Sequence, residues 1–286
     1  MYYLREDENK MKNILTAPFV EEMKSVTANM YRLGWDERNG GNISYMLEEK
    51  EVAEYLDLDS VIRTIPLNID DAGELAGRIF IVTGTGKYFK NVEKDPETNL
   101  GIVRIAKDGK NAELLWGFAD GGKFTSEFPS HLRSHMARLK KDPMHRVVMH
   151  THPTYTLAMT HVHELDDKKF THTIWETCTE CIVVFPDGIG VLPWMICGDN
   201  GPEIATETAK KMEEYRIVVW GLHGIYGTGK DIDETFGLIE TVEKGAQLYM
   251  AYAHLPHLNT ITDEQLRDVA EAFGLDGKYR KDFLNL

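Results

Sequence analysis

Segments with two different apolar periods alternate along this chain, and that alternation constrains its fold more than any single residue does. From about Pro18 to Leu33 the side chains Phe19, Met23, Val26, Met30 and Leu33 recur at helical spacing, and the polar, glycine-bearing stretch Asp36 to Asn42 stops the helix. Ile43 to Leu47 and Arg78 to Thr83 read as strands. Gly101 to Ile105 and Leu114 to Phe118 read as a meander around Lys107-Asp-Gly109. Helix returns over Phe128 to Lys140 and, as one long amphipathic element, over Asp233 to Leu248. Helices interleaved with strands predict a central sheet covered on both faces, and the meander places antiparallel pairs in it.

Two strand segments end in histidine. Val147-Val148-Met149-His150-Thr151-His152 carries a pair, and Val218-Val219-Trp220-Gly221-Leu222-His223 carries a third. Alternate strand residues share a face, so His150 and His152 can offer two nitrogens to one point, with His223 supplying another from a neighbouring strand. That donor set suits a catalytic Zn²⁺ with an open position. Three neutral imidazoles leave the ion its full double charge, which suits polarising a carbonyl. Of the chain's 11 histidines, two other pairs compete. His131 and His135 stand four apart on a helix but lack the glutamate of a zinc-protease motif, since Leu132 follows His131. His161-Val-His163 lies in a charged stretch that reads as a solvated helix end.

Composition narrows the function classes. With 286 residues and 42% hydrophobic content the chain can bury a large core, and no linker interrupts it, so one domain is expected. Against 46 acidic residues stand 32 basic ones, a net charge of −14 with no basic tract, which argues against nucleic acid and anionic membrane as partners. The first ten residues are charged, with no signal-peptide pattern, and a cytoplasmic location is expected. Cysteines 178, 181 and 197 are too few for a disulfide framework. The Cys178-x-x-Cys181 pair reads as small residues entering an apolar strand, Ile182-Val-Val-Phe185.

Three further segments carry candidate chemistry. Glu127 precedes a helix start strengthened by Pro129, as a base or simply as a glutamate favoured by the helix dipole. The Thr125 and Ser126 hydroxyls there can bind a phosphate or cap the helix. Asn39-Gly40-Gly41-Asn42 and Thr83-Gly84-Thr85-Gly86-Lys87 have the makings of anion-binding nests or of ordinary turns, and neither has the spacing of a nucleotide motif.

Read together, Gly34 to Asn42, Thr83 to Gly86, Thr125 to Glu127, Met149 to His152, Glu176 to Trp194, and Leu222 to Gly229 with Asp233 to Leu238 resemble the class II aldolase/adducin superfamily. They resemble in particular its branch acting on L-rhamnulose 1-phosphate. The likeness runs from about Met11 to the C-terminus, with residues 1–10 read as an N-terminal extension or a start-site artefact. It implies a three-layer α/β/α sandwich with a mixed, largely antiparallel sheet, assembled as a C4 homotetramer with one Zn²⁺ per subunit. It also implies His150, His152 and His223 as ligands and Glu127 as the acid/base. Asn39, Asn42, Thr85, Gly86, Thr125 and Ser126 then serve the phosphate and ketose end, and Glu180 the aldehyde side, across a subunit interface. The implied reaction is reversible cleavage to dihydroxyacetone phosphate and L-lactaldehyde, with no lysine Schiff base at Lys87. Related epimerases and a fuculose phosphate aldolase are the neighbouring alternatives, and adducin-type scaffolds the non-enzymatic one.

Overall fold

The computed structural model describes residues 11–198, 201–256 and 258–285. The extension expected over residues 1–10 lies outside them. Nine strands form one sheet: β1 Asn42–Leu47, β2 Arg63–Pro66, β3 Ile79–Thr83, β4 Leu100–Ile105, β5 Asn111–Gly117, β6 Val147–Thr151, β7 Gly190–Leu192, β8 Ile217–Trp220 and β9 Gly224–Gly229. Their order is β2-β5-β4-β3-β1-β6-β9-β8-β7. Every neighbouring pair is antiparallel except β7 with β8, so the sheet is mixed and largely antiparallel, as expected.

The helices are α1 Pro18–Leu33, α2 Glu49–Val52, α3 Phe89–Val92, α4 Pro96–Asn99, α5 Phe128–Leu139, α6 Thr154–Val162, α7 Asp167–Trp175, α8 Thr179–Val184, α9 Pro202–Met212, α10 Ile232–Tyr252 and α11 Asp263–Ala272. The two-residue period of the strands sorts them into layers. Ile43, Tyr45 and Leu47 of β1, Val147 and Met149 of β6 and Ile217 and Val219 of β8 face a core built with α1, α7, α8, α10 and α11. The alternate residues face α5 and α9: Met46, Phe80 and Val82 meet Phe128 and Leu132, while Val148, Val218 and Trp220 meet Ile204 and Met212. Burying a side chain such as Met23 or Phe80 contributes about 1.5–3 kcal/mol, so each face supplies its own share of the folding energy.

Two features of the sequence reading change. Ile182 to Phe185 is not a strand, because Thr179–Val184 is a short helix whose Cys181 and Ile182 are buried in the α10/α11 layer. Packing of β-branched side chains into that layer overrides their strand preference. His223 does not end a strand: it lies in the turn joining β8 to β9, where its N–H donates to the Trp220 carbonyl at 3.1 Å. It is β9, not β8, that pairs with β6.

The chain beyond the histidine pair is pinned from the far layer. Glu243 of α10 accepts from the Tyr155 and Thr156 N–H groups at 2.9 and 2.7 Å, and from the Thr156 hydroxyl at 2.8 Å. It thereby caps the first turn of α6, which follows His152 after one proline.

Candidate metal centre and active site

Register builds the site. Asn42, His150 and Tyr226 are paired neighbours across β1, β6 and β9, so their side chains form one row on the α5 face. His150 stacks on Tyr226 with ring centroids 4.6 Å apart, and Tyr226 on Trp220 at 4.4 Å. Just past the end of β6, the His152 N–H donates to the Trp35 carbonyl at 2.7 Å. The β8–β9 turn adds His223, and the Leu222 N–H beside it donates to Thr160 Oγ1 at 3.0 Å. Leu222 is held at φ 61, a left-handed conformation that costs a non-glycine residue about 1–2 kcal/mol. The three imidazoles converge, with donor atoms within 4.8 Å of one another.

Hydrogen bonding sets which nitrogens face the centre. His150 Nδ1–H donates to the Ile225 carbonyl at 3.0 Å, and His152 Nδ1–H donates to the Glu37 carboxylate at 2.9 Å. With both rings in the neutral form that metal ligation requires, both Nε2 atoms carry lone pairs, and they face each other 3.2 Å apart. Two bare nitrogens at that distance repel unless a cation lies between them. Zn–N bonds of about 2.0–2.1 Å in a tetrahedron put ligand nitrogens about 3.3 Å apart, so the donor set fits this ion. Burial pushes His150 well below the ordinary imidazole range, and burial with His152 alongside pushes His223 down to about 4. Both rings are neutral at pH 7, as ligands must be.

Glu127 sits at the start of α5, where its position before Pro129 predicted it. Its Oε2 accepts from Asn42 Nδ2 at 3.0 Å and from the Tyr226 hydroxyl at 2.9 Å, and lies 3.7 Å from His150 Nε2. Burial raises its carboxyl above the usual range, and the two donated bonds pull the other way. Cys197 also reaches this corner, its thiol pushed up to about 11 by burial and by the Glu127 carboxylate.

The two glycine-bearing loops close around this centre. Thr125 N–H donates to the Thr83 carbonyl and Thr85 N–H to the Lys123 carbonyl, each at 2.9 Å, which zips the loop after β3 to the segment before α5. Gly40 is required by close approach: a Cβ there would meet His152 Cε1 at 2.9 Å. One cavity of about 130 Å³ is lined by Asn39, Asn42, Thr85, Gly86, Thr125, Ser126, Glu127, His150, His152 and His223. Thus the structure gathers every site residue read from the sequence except Glu180. That side chain is exposed at the first turn of α8, accepts from Cys178 Sγ at 2.7 Å, and lines a separate cavity of about 640 Å³ with Trp35, Cys181 and Glu243.

The pairs set aside as ligands have other partners. His163 caps the end of α6 and bonds to Thr173, while His131 and His135 are fully buried against Ser44. Lys87 is ion-paired with Asp120. The reading missed Glu37, Tyr226, Cys197 and the placement of His131. Tyr226 had a usable signal, since it lies on the same face as His150 once β6 and β9 pair.

A mixed sheet between helical layers, with three imidazoles and a carboxylate at one end of its strands, defines a class II aldolase centre. The chain belongs to the family described as the Class II Aldolase and Adducin N-terminal domain, whose profile matches residues 21–250. Within that family it is similar to the rhamnulose-1-phosphate aldolase of Listeria monocytogenes serotype 4b, with 56% identity covering 93% of this chain and 97% of the relative. The enzyme of the same name from Enterococcus faecalis is 56% identical over 93% of this chain and 95% of its own length. That of Escherichia coli O81 is 44% identical over 93% and 97%. A sugar-phosphate aldolase from Thermotoga maritima superposes with a TM-score of 0.71 and 27% identity, over 83% of this chain and 97% of that one. The chain is an enzyme, a carbon–carbon lyase of the aldolase type, and the resemblance read from its sequence blocks holds.

Proposed function

We propose that this enzyme reversibly cleaves L-rhamnulose 1-phosphate to dihydroxyacetone phosphate and L-lactaldehyde in rhamnose breakdown, and that it does so with Zn²⁺. The observation that carries the reading is the placement of Glu127 within 3.7 Å of a metal-ready imidazole, in a cavity whose other wall is two hydroxyl-bearing loops. His150, His152 and His223 would hold one ion per subunit. When bound, it supplies the Lewis-acid charge that stabilises the electrons released on splitting the C3–C4 bond, commonly worth several kcal/mol.

The chain's own residues do the rest. In cleavage the C4 hydroxyl gives up its proton on the aldehyde side as the C3–C4 bond breaks, and Glu127 returns a proton to C3. In synthesis both transfers reverse, and burial brings the Glu127 carboxyl toward the range where such exchange is efficient, an effect of roughly 10²- to 10⁴-fold. Thr85, Thr125 and Ser126 hydroxyls, the Asn39 amide and the Gly86 backbone hold the phosphate and ketose end, and that anchoring orients the reacting carbons. Asn42 is largely committed to Glu127 and His131, with its second amide hydrogen left for substrate. Glu180 serves the aldehyde side of a neighbouring subunit's site, consistent with its exposure and its absence from this cavity. This reading places the enzyme in the cytoplasm as a C4 homotetramer. Among the described residues no helix is long and apolar enough to cross a membrane.

Two variants test the assignment. Glu127→Gln is expected to retain stoichiometric zinc and lose at least about 100-fold in turnover, whereas His150→Ala loses the metal. Cleavage of rhamnulose 1-phosphate by Glu127→Gln at the parent rate would remove this carboxylate from the chemistry.

A further inference from the structure

Behind Glu127 and Asn42 runs a line of buried polar groups, His131, Ser44 and His135, that the reaction just described does not use. Asn42 joins the Glu127 carboxylate through Nδ2 and His131 Nε2 through Oδ1. His131 Nδ1 lies 2.8 Å from Ser44 Oγ, and His135 Nε2 lies 2.8 Å from the same oxygen. Ser44, His131 and His135 are fully buried, and Asn42 nearly so. The two histidines stand one helical turn apart on α5, both aimed at β1.

The direction of this line follows from its first member. A carboxylate only accepts, so Asn42 presents its NH₂ to Glu127 and its carbonyl oxygen to His131, which must donate from Nε2. Burial keeps both rings neutral, holding His131 well below its usual range and His135 down to about 3. A neutral ring has one N–H, so His131 Nδ1 is bare and the Ser44 hydroxyl donates to it. Ser44 Oγ in turn accepts from His135 Nε2–H. The line then has to end on a bare acceptor, and His135 Nδ1 is a buried atom without a hydrogen-bond partner. No other arrangement of these hydrogens gives every donor an acceptor.

We propose that His131 and Ser44 are positioning residues for the acid/base carboxylate. Acting through Asn42, they hold Glu127 by Oε2 and leave Oε1, with the weak Cys197 thiol donor beside the carboxylate, as the oxygen that exchanges the proton with substrate carbon. Asn42 and Tyr226 together fill both lone-pair sites of Oε2. This inference rests on the reading of Glu127 as the acid/base.

The test uses the zinc-loaded enzyme and the half-reaction in which dihydroxyacetone phosphate alone exchanges its C3 hydrogen with D₂O. His131→Leu is expected to keep full metal and an unchanged KM while exchange and kcat fall roughly 10- to 100-fold, the range for outer partners of such centres. His131→Gln, whose amide can donate to Asn42 and accept from Ser44, regains most of the loss, which a merely structural role would not produce. Nitrogen-15 NMR of the histidine rings is expected to show His131 as the Nε2–H tautomer. Parent exchange in metal-replete His131→Leu, or in Ser44→Ala should the first variant not fold, overturns the proposal, as does an Nδ1–H tautomer. Loss of exchange in Glu127→Gln with none in His131→Leu sinks the positioning role alone; parent exchange in Glu127→Gln sinks the acid/base reading beneath it.

Discussion

Glu37 is expected to set a measurable share of the metal affinity without touching the metal. Its carboxylate accepts from His152 Nδ1 at 2.9 Å on Oε1 and 3.1 Å on Oε2, which fixes the tautomer and turns Nε2 toward His150. A hydrogen bond to a charged group contributes about 1.5–3 kcal/mol when shielded from water. Here the Glu37 side chain is 69% exposed, so water takes over much of that bond in Glu37→Ala and the net loss falls to about 1 kcal/mol. At 298 K that is roughly fivefold weaker binding. Glu37→Gln keeps an acceptor and is expected to lose less. His150 provides an internal contrast, because its partner is the Ile225 backbone carbonyl and survives either change. Titration of the apo-protein against a chromophoric zinc chelator at fixed pH reads the constant directly. Parent affinity in Glu37→Ala would refute the idea that this bond prepares His152 for the ion.

Two further outcomes follow from the same loop. In Gly40→Ala the new methyl meets the His152 ring at 2.9–3.0 Å, and the ring cannot retreat without loosening Glu37. Overpacking of about 1–3 kcal/mol lowers the thermal midpoint by about 2–6 °C and weakens metal binding; a variant unchanged in both measurements contradicts the contact. Asp36 is buried without hydrogen-bond partners, and burial, with Glu37 adding to it, raises its carboxyl to about 7. Since the folded state binds this proton more tightly than the unfolded chain, the stability it contributes is whole below about pH 4 and is lost as pH rises toward 7. Thermal midpoints of Asp36→Asn and the parent are therefore expected to diverge from pH 4.5 to 8, the parent declining relative to the variant, and parallel curves would show that Asp36 does not titrate in this way.

What could be read in advance was what depends on local period. α1 came out over Pro18–Leu33 because its apolar stripe and the residues after it are contiguous in the chain, and β1, β3 and the β4–β5 meander carry their own alternation. The metal ligands were legible for a related reason: His150 and His152 need only the two-residue repeat of one strand. α8 was misread because β-branched residues there fill a helical layer, and β2 and β7 are too short, at four and three residues, to show a period.

The rest of the site was hidden by separation along the chain. Glu127 bonds to Asn42 across 85 positions and to Tyr226 across 99, and His131 meets Asn42 across 89. Nothing in a window of ten or twenty residues distinguishes a histidine with such partners from a metal-binding one, so the i, i+4 pair on α5 looked like a failed ligand motif. Only the register of β1 against β6 and β9 brings Asn42, His150 and Tyr226 into one row, and only then does α5 lie where its histidines meet the back of that row. The metal ligands are thus a local property of two chain segments, whereas the carboxylate that works beside them is placed by the topology of the whole sheet. A substitution that shifts β1 against β6 would leave His150 and His152 together and still strip Glu127 of its Asn42 partner, because a one-residue slip turns Asn42 to the opposite face.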